Sequence, residues 1–195
     1  MAVIAAPTKV HWNYFLALER DVEVAARYVE FADANMSTYS IEFAHLLFAA
    51  ASEVDVVAKL LCRVLAPSKP RQNIEHYRSV LSGEIPDLAA TQVLVPRYGL
   101  TLTPWENWVG GTNPNWWRSY NNVKHERDVH YSEATLKNAL NSLAGLMTLA
   151  FYHYSLPGLN TGGPVDKKET TRYLLPESSL MRFPESFYYR NLIVD

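Results

Sequence analysis

Between Ile41 and Leu65 the apolar residues Ile41, Ala44, Leu47, Phe48, Ala51, Val54, Ala58, Leu61 and Leu65 return every three or four positions, with Glu42 and Glu53 on the polar side. At about 3.6 residues per turn this spacing gathers them on one face of an α-helix. A stripe of that length commits the chain to burying a helix side against other helices. Ser40 precedes it as an N-cap and Ala66-Pro67 stops it. A second stripe, Leu136, Ala139, Leu140, Leu143, Met147, Ala150 and Phe151, begins near Ser132 and is closed by Pro157-Gly158. Its most apolar run, Leu143 to Tyr154, is interrupted by Gly145, Thr148 and His153. It is too short to span a bilayer, so it reads as a buried core helix and no membrane association is expected.

Around these two helices the rest of the chain falls into place. A first helix is predicted from Thr8 as N-cap to about Asn35, with Val10, Tyr14, Ala17, Leu18, Val24, Ala25, Tyr28 and Phe31 at helical spacing. With a short link to the next helix it should form an antiparallel hairpin. From 67 to 112 Pro67, Pro70, Pro86, Pro96 and Pro104 break regular structure, and Ile74 to Leu81 alone reads as helix. Val93-Leu94-Val95 and Leu100-Thr101-Leu102 flank Pro96-Arg97-Tyr98-Gly99 as a small strand pair. Asn113 as N-cap with Pro114 at the first helical position starts a further helix, expected to run through about Asp128. In the tail, after the Gly-rich turn 160–164, Tyr173-Leu174-Leu175 and Phe187-Tyr188-Tyr189 read as short strands or an extended arm. The expected fold is therefore mainly all-α, an antiparallel bundle of about four to five helices. Its bundle spans 1–158 with 67–112 as an irregular insertion, and 159–195 forms a C-terminal extension.

At 195 residues, 48% apolar and 19% charged, the composition is that of one globular domain. Cys62, the single cysteine, cannot make an intramolecular disulfide and lies on an apolar helix face, as an inert core thiol would. The N-terminus lacks the basic start and apolar run of a signal peptide, which makes the cytoplasm the expected compartment. A net charge of −2 gives no global attraction to nucleic acid, so any such binding must be local. Lys59, Arg63, Lys69, Arg71 and Arg78, against Glu75 alone, form either a solvated surface run or a binding patch.

The helix after Gly110-Gly111 carries the candidate chemistry. Arg118 and His125 are seven residues apart, which returns both to nearly the same helix side. A guanidinium suits a phosphate oxygen and an imidazole suits moving a proton near neutral pH, so the pair fits phosphodiester chemistry. Asn121 and Asn122 between them can hydrogen-bond a phosphate or base, and Lys124 and Arg127 add positive charge at the edge. The competing reading pairs Arg118 with a neighbouring acid and packs His125 against the next helix. Asp55 falls on the apolar side of its helix, among Phe48, Ala51 and Cys62, where a carboxylate needs a partner. It would either orient Arg118 or His125 or belong to a structural ion pair. Trp105, Trp108, Trp116 and Trp117 read as local core, with Trp116 the candidate to stack on RNA because it precedes the motif. His125 and His130 are five residues apart, about 140° around a helix, so they cannot grip one ion, and neither metal nor cofactor is expected.

The string Arg118-Ser-Tyr-Asn-Asn-Val-Lys-His125 resembles the arginine, four to six residues, histidine motif of the HEPN superfamily, the higher eukaryote and prokaryote nucleotide-binding domains. The order of helices from about 8 to 156 resembles that superfamily's bundle, and the residues 116–127 look like an uncharacterised bacterial branch of it. Ser119 stands where the family often has Asn or Asp. The resemblance implies a metal-independent ribonuclease, of the kind found among toxins and phage-defence effectors. His125 would be general acid or base on a ribose 2′-hydroxyl, and Arg118 would steady charge on the phosphate. It further implies a homodimer with facing motifs, RNA as substrate and a cognate antitoxin as partner. The alternative is a non-catalytic helical scaffold or RNA-binding module of the same fold.

Overall fold

The computed structural model describes residues 8–155 and 166–188. Its helices are α1 (Val10–Ala25), α2 (Ile41–Leu65), α3 (Ile74–Glu84), α4 (Asn115–His125), α5 (Arg127–His130), α6 (Leu136–Tyr154), α7 (Lys167–Tyr173) and α8 (Glu185–Tyr188). Strands β1 (Val93–Val95) and β2 (Leu100–Leu102) form a two-stranded antiparallel sheet, in register Val93 with Leu102. The chain is thus mainly α-helical with one small β element among the described residues. No described helix is long and apolar enough to cross a membrane.

The helix directions follow from the contacts at their ends. Tyr39 bridges Thr135, and the Leu136 amide donates to the Thr38 carbonyl at 2.9 Å, so α2 and α6 start side by side and run the same way. At the start of α1, the His11 ring meets that of His153 at the end of α6, 5.0 Å between centroids, so α1 runs the opposite way. The α4 helix also runs opposite, because Trp116 near its start lies against Gly145 in mid-α6 while Val123 near its end packs with Ala44 and Ala134. The bundle therefore pairs two parallel central helices with two antiparallel flanking ones. Side-chain caps fix the helix starts: Ser40 Oγ accepts from Phe43 N at 3.1 Å, Asn73 Oδ1 from His76 N at 2.9 Å and Thr135 Oγ1 from Asn138 N at 3.2 Å. In α6 nearly every residue from Leu136 to Tyr152 is buried, on all sides, as befits the central element.

Several expectations need correction. The α1 helix stops at Ala25, and a turn and a short 3-10 segment, Asp33–Asn35, fill the way to α2. Of the expected stripe Leu18, Ala25 and Phe31 are buried, but Val10, Tyr14, Val24 and Tyr28 are exposed, and Trp12, Phe15, Glu19 and Val22 complete the buried face. A buried glutamate in the true stripe disguised it. Glu19, 2% exposed, accepts from the Leu180 and Met181 amides at 3.2 Å and the Ser179 amide at 3.1 Å, and from the Ser178 hydroxyl. These bonds meet the need of a buried carboxylate for partners. They also clamp the tail onto α1, as does Trp12 Nε1 donating to the Pro176 carbonyl at 2.9 Å. The tail segments expected as strands are instead the end of α7 and the turn of α8, with Leu174, Leu180, Met181, Phe183 and Phe187 buried in the main core. Tyr189, the Gly-rich turn and Pro157-Gly158 lie outside the described residues. The strand pair forms as the spacing suggests, closed by Pro96–Tyr98 and by Gly99 at φ +63°, where a side chain would be strained.

Candidate functional site

The α4 helix starts one residue later than its sequence cues indicate. Pro114 occupies the capping position, and Asn113 turns away to α3, where its Nδ2 donates to Glu75 Oε1 at 2.6 Å and its Oδ1 accepts from Arg78 at 3.1 Å. This link ties the insertion to α4. The helix ends at His125, because Glu126 leaves helical geometry at φ −137° and ψ 58°. Arg127 then sits in α5, its guanidinium 5.1 Å from the centre of the Phe48 ring.

Between α2, α3 and α4 lies an open groove of about 790 Å³. Ser52, Asp55 and Lys59 form its α2 wall. The insertion supplies the far wall, with Gln72, Asn73 and Glu75. Arg118, Asn121, Asn122 and Lys124 form the α4 wall. Arg118 is exposed and donates to the neutral Asn115 Oδ1 at 2.9 Å, not to an acid. Lys124 lies over the Tyr120 ring, 5.3 Å to its centroid, with its ammonium free of any carboxylate within bonding distance among the described residues. Asn121 Nδ2 donates to the Trp117 carbonyl at 3.1 Å. Asn122 Nδ2 donates to both oxygens of Glu133 at 3.1 Å. Burial works to raise the Glu133 pKa, but the hydrogen bonds from Asn122, Ser119 and His130 outweigh it and hold the carboxyl below its ordinary value. Glu133 thus stays charged and fixes the orientation of Asn122.

His125 is exposed at the end of α4 and is not part of the groove lining, although it shares a helix side with Arg118. Two helical turns separate them by about 10 Å along the axis. One chain therefore brings Arg118, Asn121, Asn122 and Lys124 to one groove and leaves His125 beyond its end. Asp55 lines the same groove but touches neither Arg118 nor His125. It accepts from Tyr77 Oη at 2.6 Å and pairs with Lys59, the structural role weighed for it. Burial first, then the bond to Asp55, push the Tyr77 phenol far up, so it is a fixed donor.

Trp116 does not present a face for stacking on a base. It is 2% exposed, donates from Nε1 to the Pro104 carbonyl at 2.7 Å and packs edge-on against Trp105, so it is core like Trp105, Trp108 and Trp117. Cys62 is fully buried, and burial pushes its thiol up to about 11. In the run of cations from Lys59 to Arg78, one is paired with an acid and two are held by uncharged groups. Lys59 is paired with Asp55, Arg71 donates to the carbonyls of Pro67 and Lys69, and Arg78 reaches Asn113.

Sequence reasoning missed Ser52, Gln72, Glu75 and Glu133. Nothing in their own neighbourhoods marks them, since they meet α4 only after the insertion and the α5 turn fold back. No family model matches the chain, and no curated protein or solved structure matches it.

Proposed function

We propose that this chain is a metal-independent endoribonuclease of HEPN type that works as a homodimer, with Arg118 and His125 as its reacting pair. What carries the reading is the state of Arg118, an exposed guanidinium on the wall of a polar groove, held by the neutral Asn115, with the exposed His125 two turns along the same helix side. In the reaction His125 takes the proton of a ribose 2′-hydroxyl, the 2′-oxygen forms a bond to phosphorus, and the 5′-oxygen leaves with a proton. Arg118 steadies the charge on the phosphoryl oxygens. The products are a 2′,3′-cyclic phosphate and a 5′-hydroxyl. Asn122, aimed by Glu133, and Asn121 hold the strand, while Lys124 and Arg127 add phosphate contacts. Such an activity suits a toxin restrained by a cognate antitoxin, or a phage-defence effector, in the cytoplasm.

The second reading is a non-catalytic RNA-binding or interaction module of the same fold. It draws on the position of His125 outside the groove lining and on the carboxylates Asp55 and Glu75 inside it. Incubating the purified protein with mixed RNA in EDTA separates the two. Cleavage is expected from the wild type and should fall by at least about a hundredfold in His125→Ala, as for loss of a general acid or base, and comparably in Arg118→Ala. Absence of cleavage would hand the case to the non-catalytic module, and cleavage that survives His125→Ala would overturn His125 as a member of the reacting pair.

A further inference from the structure

We infer that the groove between α2, α3 and α4 is a single-nucleotide subsite, holding an unpaired guanine base against Glu75 with the attached phosphate on Arg118. The inference rests on the reading of α4 as an RNA-facing helix and adds a base preference that α4 does not itself encode.

The charge layout of the groove points to such a ligand. Its α4 wall carries Arg118 and Lys124. Across from them the α3 wall carries Glu75, an exposed carboxylate with Oε1 accepting from Asn113 at 2.6 Å. The Asn113 bond is the main influence holding the Glu75 carboxyl below its ordinary value, so it is charged at neutral pH. A carboxylate in a channel for phosphates would repel them, yet here it lines the same groove as Arg118 and Lys124. A ligand that suits both walls has an anionic end and an end rich in N–H donors. Guanine is the base that presents adjacent donors, N1–H and the exocyclic amine, on its Watson–Crick edge, and a carboxylate accepts both side by side. Adenine, cytosine and uracil offer no such adjacent pair. The volume of about 790 Å³ is within the range of small-ligand clefts and leaves room for a nucleotide with its water. Gln72 and Ser52, exposed on the rim, add groups that donate and accept.

The second wall comes from the insertion, so the inference also gives that segment a task. The Asn113 amide, bonded to both Glu75 and Arg78, ties the α3 wall to the segment that leads into α4. The distance between base-reading and phosphate-holding groups is thereby fixed by the fold.

The test is calorimetric titration of the full chain with the 3′-monophosphates of guanosine, adenosine, cytidine and uridine. Guanosine 3′-monophosphate is expected to bind at least about tenfold tighter than the others, the scale of one good bidentate base contact. Glu75→Gln should erase that preference, Arg118→Ala should weaken all four nucleotides without changing their order, and Ser52→Trp should block the groove to all. Equal binding of the four, a guanine preference that survives Glu75→Gln, or failure of every nucleotide to bind would each overturn the subsite. Glu75→Gln is a same-size change at an exposed position and keeps the test decisive should Ser52→Trp fail to fold. RNA cleavage measured alongside tells the two proposals apart. Guanine-selective binding without cleavage upholds the subsite and sinks the nuclease; cleavage without base preference and untouched by Ser52→Trp does the reverse.

Discussion

His153 is a residue whose surroundings translate into a measurable pH dependence. It sits near the end of α6, beside the His11 ring, which is itself bonded to Glu53 through Nδ1 at 2.5 Å. Its own Nδ1 is buried with no hydrogen-bond partner among the described residues. Burial, and secondarily the charge of His11, lower its pKa from 6.5 to about 4. The folded chain therefore keeps this imidazole neutral down to about pH 4, while the unfolded chain takes up a proton near 6.5. Below 6.5 the unfolded state binds more protons, so stability falls as pH drops and the contribution of this residue is lost progressively down to about 4. Urea unfolding at pH 7 and pH 5 checks this. The wild-type midpoint should drop between the two, and His153→Phe, which keeps the ring and removes the titrating nitrogens, should drop much less. An equal drop in both proteins would mean that other groups carry the acid sensitivity.

At the scale of elements, the setting of α4 against α6 decides where Arg118 stands. Gly145 lets the two helices approach: a Cβ there would lie 3.1 Å from Trp116 Cζ2 and 3.4 Å from Trp105 Cζ2. Replacing glycine by alanine inside a helix is favourable by about 1 kcal/mol on propensity, but Trp116 has little freedom to yield. Its indole is bonded to Pro104 and wedged between Trp105 and Trp117, at 5.3 and 5.8 Å between ring centres. Overpacking of this kind costs about 1–3 kcal/mol, so Gly145→Ala should be destabilised by roughly 1 kcal/mol net in denaturant unfolding. A gain in stability would show that α4 can slide along α6. The same interplay explains how much was legible in sequence. The α2 and α6 stripes were read, apart from the exposed Ile41, with the correct start of α2 at Ser40, because long apolar periodicity and a local cap agree. The face of α1 was misread, because Glu19 is buried for a reason lying some 160 residues away in the tail. The start of α4 was misplaced because the Asn113 side chain chose Glu75 over the helix end. Arg118, Asn121, Asn122, Lys124 and Asp55, singled out in the sequence as site candidates, all line the groove, while the α3 wall was not foreseen, since proline-broken segments carry no periodicity to place them.

For the molecule as a whole, under the proposed ribonuclease reading, the gap between Arg118 and His125 bears on how many chains would make one reacting site. The two residues lie about 10 Å apart along α4, while an in-line displacement needs both groups at one phosphate. A two-fold axis passing the middle of α4, between Asn121 and Asn122, would set two copies of the helix antiparallel. Under that symmetry residue 118 of one protomer faces residue 125 of the other, and the reverse contact follows automatically. Each dimer then holds two Arg118–His125 pairs, each formed across the interface. Two measurements follow from this arrangement. Cleavage per protomer should fall on dilution, with the same midpoint as dimer dissociation followed by sedimentation. Mixing inactive Arg118→Ala with inactive His125→Ala should restore activity, because a mixed dimer keeps one intact pair. With random exchange half the dimers are mixed and each has one of two pairs, so recovery should approach about a quarter of the wild type. A pair acting within one chain would give no recovery at all from the same mixture, since neither variant then holds both residues.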